Sequence, residues 1–188
     1  FGKVSATADL GFGRRAQDFS YNDVSTLAAV KQMFISYAPS SGVKFTLGKW
    51  ATHIGYEMVD AYLNRNYSMS YAFSYGPFFH TGVRADISLG GKSAFMIGVA
   101  NPTDFSTTTS PTKVLIALFS TGTSNDKLKA FANFQGGTGL TQFDLVLNGV
   151  ISSQFAISYD GTLRTVKTAG VSNSWSSNAL YFNYDPTS

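Results

Sequence analysis

Strict alternation of apolar and polar residues recurs along this chain from one end to the other, and a period of two is a strand signal. Val4, Ala6, Ala8, Leu10 and Phe12 share one face, while Ser5, Thr7, Asp9, Gly11 and Gly13 share the other. The same pattern returns near Leu27 to Tyr37, closed by Ala38 to Gly42, and again at Val43, Phe45 and Leu47. A change of phase by a bulge is expected at Lys49 and Trp50. Met69, Tyr71, Phe73 and Tyr75 then read as an aromatic strand, and Val83, Ala85, Ile87 and Leu89 oppose Arg84 and Asp86. The next strand, Ala94 to Ala100, is apolar on both faces. Further strands are expected at about 113 to 120, 127 to 135, 142 to 148, 154 to 160 and 178 to 184. The sum is about eleven strands, and the fold class is all-β and antiparallel.

Charge decides what those strands face. Only 13% of the 188 residues are Asp, Glu, Lys or Arg, against the roughly 25% usual for soluble domains. A soluble sandwich covers its outward faces with Lys and Glu, and there are too few here to do so. Phe, Tyr and Leu occupy one side of nearly every strand instead, which suits a face turned to lipid. No apolar run reaches the length of a spanning helix, so membrane insertion would be as a barrel. Short connections (38 to 42, 90 to 92, 121 to 126, 149 to 153) alternate with long ones (14 to 26, 51 to 67, 101 to 112, 161 to 177). Such alternation puts turns on one rim of a transmembrane barrel and loops on the other.

Several functions are excluded at this level. Net charge is +3, but no basic cluster exceeds Arg14-Arg15, so nucleic acid is not an expected partner. Cysteine is absent, which removes thiol chemistry, disulfides and cysteine-based metal sites. No G-x-S-x-G elbow occurs, and Gly11-Phe12-Gly13 lacks the third glycine and following helix of a phosphate-binding turn. No enzyme, cofactor or metal is expected. The two histidines, His53 and His80, lie 27 residues apart and are expected to be unrelated.

If apolar faces meet lipid, the opposite faces line a lumen. Gln32, Lys44, Arg84, Asp86, Asn133, Asp144 and Asn148 are the expected pore-lining residues, with Lys127, Lys129 and Gln135 beside them, and Arg84 with Asp86 as the leading pair. The segment holding His53, Glu57, Asp60 and Arg65 is polar enough to fold into the pore as a constriction loop, although an ordinary exposed loop is the alternative. Trp50, Trp175, Tyr37, Tyr75 and Tyr184 stand near strand ends, as an interfacial aromatic girdle would.

The order of several segments adds a resemblance. FTLGKWATHIG at 45 to 55, YEMVD after it, and NRNYSMSYAFSYGPFFHTGVRADISLGGKSAFMIGVANPTD at 64 to 104 resemble the outer-membrane β-barrel family of Bacteroidota known as putative β-barrel porin-2. VKQMFISYAPSSG, NFQGG and SWSSNALYFNY are similar more loosely. The resemblance implies a bacterial outer-membrane porin that passes small hydrophilic solutes by diffusion, with lipid and those solutes as partners and a homo-oligomer compatible with it. Members of that family are longer. Residues 1–188 are therefore expected to be a partial barrel domain with N- and C-terminal strands missing, ending in a turn at Asp185 to Ser188. A filled barrel serving as anchor, adhesin or assembly partner is the alternative function.

Overall fold

In the computed structural model, which describes residues 2–186, ten strands form one antiparallel sheet in sequence order. They are β1 (Val4–Leu10), β2 (Val30–Ser40), β3 (Val43–Ala51), β4 (Phe79–Gly90), β5 (Ser93–Ala100), β6 (Val114–Gly122), β7 (Leu128–Gly137), β8 (Leu140–Val150), β9 (Phe155–Thr168) and β10 (Val171–Tyr184). Each strand pairs only with its sequence neighbours, and the sheet is not closed. Two short helices interrupt the meander: α1 (Arg14–Phe19) between β1 and β2, and α2 (Tyr71–Tyr75) between β3 and β4.

Alternation sorts the faces as expected. Ile35, Leu47, Val83, Ile97, Leu115, Phe143, Leu163 and Phe182 are exposed on the outer face. Ser36, Thr46, Asn133, Gln135, Gln142, Asp144, Ser158, Asp160 and Thr162 are buried on the other. An exposed apolar band over a buried polar interior inverts the soluble pattern and fits a wall standing in lipid.

Four expectations are corrected. The aromatic strand at 69 to 75 is the helix α2, because the Ser70 hydroxyl caps it by accepting from the Phe73 amide at 3.2 Å. With β3 paired directly to β4, no sheet edge is left for another strand. The long loop at 161 to 177 is instead the upper halves of β9 and β10, joined by a tight turn at Ala169-Gly170. Both residues there have positive φ. The strand count is accordingly ten among the described residues, and Thr187 and Ser188 of the expected terminal turn lie outside them. Pro39 falls within β2 rather than in a turn. The pairing slips between Tyr37 and Ser40, a bulge that tolerates a residue without an N–H.

The misread β9–β10 hairpin has a physical reason. Phe155, Ile157, Tyr159 and Leu163 share the apolar side of β9, and this nine-residue segment, about 26 Å along the strand, has the length of a tilted membrane-spanning strand. Beyond it the same side carries Thr165 and Lys167, matched on β10 by Ser174 and Ser172. Thr165 and Ser174 share a hydroxyl hydrogen bond of 2.8 Å. The hairpin rises past the band into water, so its alternation loses the apolar half that marks a strand.

Inside, the face changes character across the sheet. Trp50, Met96, Val114 and Ile116 form a buried apolar cluster with Phe34 and Leu118 packed on it. Trp50, at 2% exposure, is therefore core rather than girdle. Gly48 and Gly82, paired across β3 and β4 next to it, sit where the neighbouring strands leave no room for a Cβ. A Cβ on Gly82 would lie 2.1 Å from the Val99 carbonyl oxygen, and one on Gly48, at φ 133°, would lie 2.2 Å from that of Met33. Both obstacles are backbone. Gly82→Val is expected to abolish most of the folded, heat-modifiable fraction on a gel, while Gly42→Ala, in an open turn with nothing within 4 Å, refolds like the parent.

Candidate functional site: an internal loop clasped to the wall

The connection from β3 to β4, residues 52–78, lies across the inner face and reaches the far strands. The backbone N–H of Gly55 donates to Asp144 Oδ1 at 3.0 Å, and that of Tyr56 donates to Asp160 Oδ2 at 2.8 Å. Consecutive amides can serve two neighbouring strands because Gly55 has φ 91°, a conformation that glycine adopts readily. Register does the rest, since Asp144 on β8 faces Thr162 on β9 and Val146 faces Asp160. Asp144 also accepts from Asn133 Nδ2 at 2.5 Å and Thr162 Oγ1 at 2.8 Å. The Tyr56 ring packs on Tyr181 with centroids 4.3 Å apart, and Asn183 donates to its hydroxyl at 3.3 Å.

Further along, the loop folds on itself. Both Glu57 oxygens accept from the Ser70 amide at 3.0 Å, and the Ser70 hydroxyl donates to one of them. Asp60 pairs with Lys31 at 2.6 Å, and Arg65 pairs with Asp185 at 2.5 Å near the outside. His53, Glu57, Asp60 and Arg65 are thus not one surface. His53 and Glu57 lie within, Asp60 is half-buried at the β2 end, and Arg65 is exposed.

His53 Nε2 lies 3.2 Å from the carbonyl oxygen of Phe134, so that nitrogen carries the proton. Burial is the main reason its pKa falls to about 4, helped by the charge of Arg84 and opposed by Phe134 and Asp144. The imidazole is neutral at ordinary pH. The expectation of two unrelated histidines is overturned, for the His53 and His80 rings stand 5.1 Å apart and Thr52 Oγ1 bridges to His80 Nε2 at 3.3 Å. Loop insertion brings them together, which spacing in sequence does not show. Among the described residues no group of three or more His, Cys, Asp or Glu side chains is placed to share a metal ion.

Of the other residues expected on the lumen side, Gln32 donates to Asp9 at 2.7 Å and accepts from the Ala51 amide at 3.0 Å. Arg84 and Lys44 both face Asp86, at 3.5 and 3.6 Å, and the Arg84 guanidinium lies 5.1 Å from the Trp50 ring. Asn133 and Asp144 are buried and Asn148 is half-buried on the same face. Gln135 donates to Gln142 at 2.7 Å. Lys129 turns to Asp126 at 3.6 Å, and Lys127 sits in the β6–β7 turn.

At the long-loop rim, two aspartates tie three loops together. Asp23 accepts from the Ser106 amide at 3.1 Å and pairs with the buried Lys49 at 2.8 Å. That pairing, rather than an inserted residue, explains why Lys49 and Trp50 are both buried, since β3 and β4 stay in register there. Asp104 accepts from the Phe78 and Phe79 amides at 2.7 and 3.0 Å and from the Tyr21 hydroxyl at 3.2 Å. Its burial raises the carboxyl to about 6 despite those donors.

A lipid-facing apolar band, a polar interior and a loop lodged in it are the anatomy of a porin wall. The family described as putative beta-barrel porin-2, OmpL-like, matches residues 1–188. The chain belongs to that family. For a porin-2 protein, membership implies a channel at the bacterial outer membrane and ordinarily no catalysis. Neither the curated proteins nor the solved structures contain a match to this chain.

Sequence reasoning reached Asn133, Asp144 and Asn148 through parity, but missed Asp160, Asp23 and Asp104. Asp160 shares the parity of Ser158, and the signal was lost when Gly161 was read as the end of the strand. Asp23 and Asp104 lie in loops, where no periodicity marks an inward side chain.

Two outcomes test this arrangement. Asp144→Leu leaves three buried donors unpaired at about 1 to 3 kcal/mol each, and added protease is expected to cut 52–78 in the folded variant while sparing the parent. The second is a pH dependence. Asp104, raised in the folded state, contributes stability below about pH 4 that is lost as pH rises through 6; His53, depressed, contributes above about 6.5 and loses it as pH falls through 4. The two oppose each other between pH 4 and 6. Asp104→Asn keeps an acceptor for the Phe78 and Phe79 amides and removes the titration of Asp104, so its thermal stability should fall more steeply than the parent's from pH 6.5 to 4.

Proposed function

We propose that residues 1–188 form one arc of a closed outer-membrane barrel through which small hydrophilic solutes diffuse passively, with the loop 52–78 setting the width of the passage. The observation that carries this reading is the clasp of Gly55 and Tyr56 by Asp144 and Asp160, which holds a polar loop against the polar inner face of the wall. Free edges at β1 and β10 favour a larger barrel, because unpaired backbone groups in hydrocarbon cost several kcal/mol each. Charges on the turn-rim half of the wall, Lys44, Arg84 and Asp86, supply a mild selectivity. Membership of a porin family supports the channel; the solutes are inferred from the wall.

One feature favours a filled barrel that acts as an anchor or assembly partner. The cluster of Trp50, Met96, Val114 and Ile116 fills the inner side of β3 to β6 with packed apolar side chains rather than water. Conductance separates the two. Full-length protein reconstituted in planar bilayers is expected to give stable current steps, and Arg84→Ala should shift the reversal potential in a salt gradient toward cation preference by removing a lumen charge. Silence from folded, heat-modifiable protein would reject the channel and leave the filled barrel.

A further inference from the structure

Between the inserted loop and the inner wall lies a cleft of about 330 Å³, within the size range of sites that hold small molecules. It opens below the clasp, toward the rim of short turns, and its walls do not match a simple aqueous passage. Met58 and Val59 of the loop face Leu118 of β6, Phe131 of β7 and Val146 of β8 across it. A water-filled channel needs polar walls, whereas these five side chains offer hydrocarbon.

The polar groups on its border are few, and most are already engaged. Both oxygens of Glu57 are occupied by Ser70. His53 gives its proton to Phe134 and is neutral. Asn133 donates to Asp144, which leaves its own amide oxygen without a partner, and the amide oxygen of Asn148 is likewise unpartnered. No lysine or arginine among the described residues lines the cleft. Lys129, beside Asn148 in register, directs its ammonium to Asp126. An anion entering this space would lose hydration, find no lysine or arginine and meet the carboxylate of Glu57, a cost that a neutral molecule avoids.

We infer that this cleft is a binding site for a small neutral amphiphile, a molecule with one apolar face to lie on Phe131, Leu118 and Val146 and a hydroxyl or amide edge to meet Asn148. As a step in transit it rests on the channel reading above, and it narrows the solutes of that reading to those with a hydrocarbon face and no negative charge. As a binding site it stands without that reading.

Fluorine NMR of full-length protein held in amphipol tests it, with 4-fluorobenzyl alcohol as probe. The alcohol should give a saturable shift. 4-Fluorobenzoate, of similar size but anionic, should bind about tenfold more weakly or not at all. Val146→Phe, which fills the cleft, should remove the saturable signal. Leu118→Trp does the same from β6 if the first variant does not fold, and Leu145→Ala, on the lipid face, should keep the signal. Absence of saturable binding, an unchanged signal in a folded cleft-filling variant, or the benzoate binding as tightly as the alcohol would overturn the inference. Bilayer conductance is read separately: current without probe binding sinks the site and spares the channel, and binding without current does the reverse.

Discussion

Two carboxylates on adjacent strands, each accepting a backbone N–H from one loop, hold the interior of this protein together. Asp144 and Asp160 lie on the face that would otherwise be bare, and a carboxylate there needs donors. The loop needs acceptors for the same reason, since a backbone drawn into a lumen leaves behind the water that satisfied it. Gly55 and Tyr56 meet both needs at once. Everything else inside follows from that crossing: Tyr56 on Tyr181, Glu57 on Ser70, His53 under Phe134, and the cleft that the loop roofs.

The wall is matched to this crossing by its two chemically distinct halves. Strands β7 to β10 carry amides, hydroxyls and carboxylates inward, and these bond to one another and to the loop. Strands β2 to β6 carry Phe34, Trp50, Met96, Val114 and Ile116 inward as a packed apolar cluster toward the loop rim, with Lys44, Arg84 and Asp86 toward the turn rim. A loop rooted on the apolar half and bonded to the polar half spans the concavity in a defined direction. The glycines at 48 and 82 belong to the same design, because strand approach at those positions tolerates no Cβ.

How much of this was legible follows from what alternation encodes. Period two reports which side chains share a face, so β3 to β6 and the inward placement of Arg84, Asn133 and Asp144 could be read from sequence. It carries no information where both faces are wet, which hid the upper halves of β9 and β10 behind Thr165, Lys167 and Ser174. Nor does it separate a short aromatic strand from a capped helix when only Tyr71, Phe73 and Tyr75 define it; Ser70 decided that locally and the β3–β4 pairing decided it globally. The apolar inner face of β5 was visible as a strand greasy on both sides, but its meaning required the partners at Trp50 and Ile116. Loop aspartates have no pattern at all. Their roles appear only once three loops converge on them.

That convergence explains why the loop rim is ordered although it contains little regular structure. Asp23 reaches from the β1–β2 connection to Lys49 and Ser106, and Asp104 reaches from the β5–β6 connection to Phe78, Phe79 and Tyr21. Each aspartate therefore joins the β1–β2 and β5–β6 connections to one end of the β3–β4 connection, Asp23 at its start and Asp104 at its finish. The crossing loop leaves the sheet at Ala51 and returns at Phe79, and Lys49 and the Phe78–Phe79 amides, bound by these two aspartates, lie at those ends. Its ends are thereby fixed independently of its middle. With the ends fixed, releasing the Asp144 and Asp160 contacts would free the central segment without detaching the loop from the rim. The cleft beneath would lose its roof while the apolar wall of Leu118, Phe131 and Val146 kept its shape, because that wall is set by strand register and not by the loop.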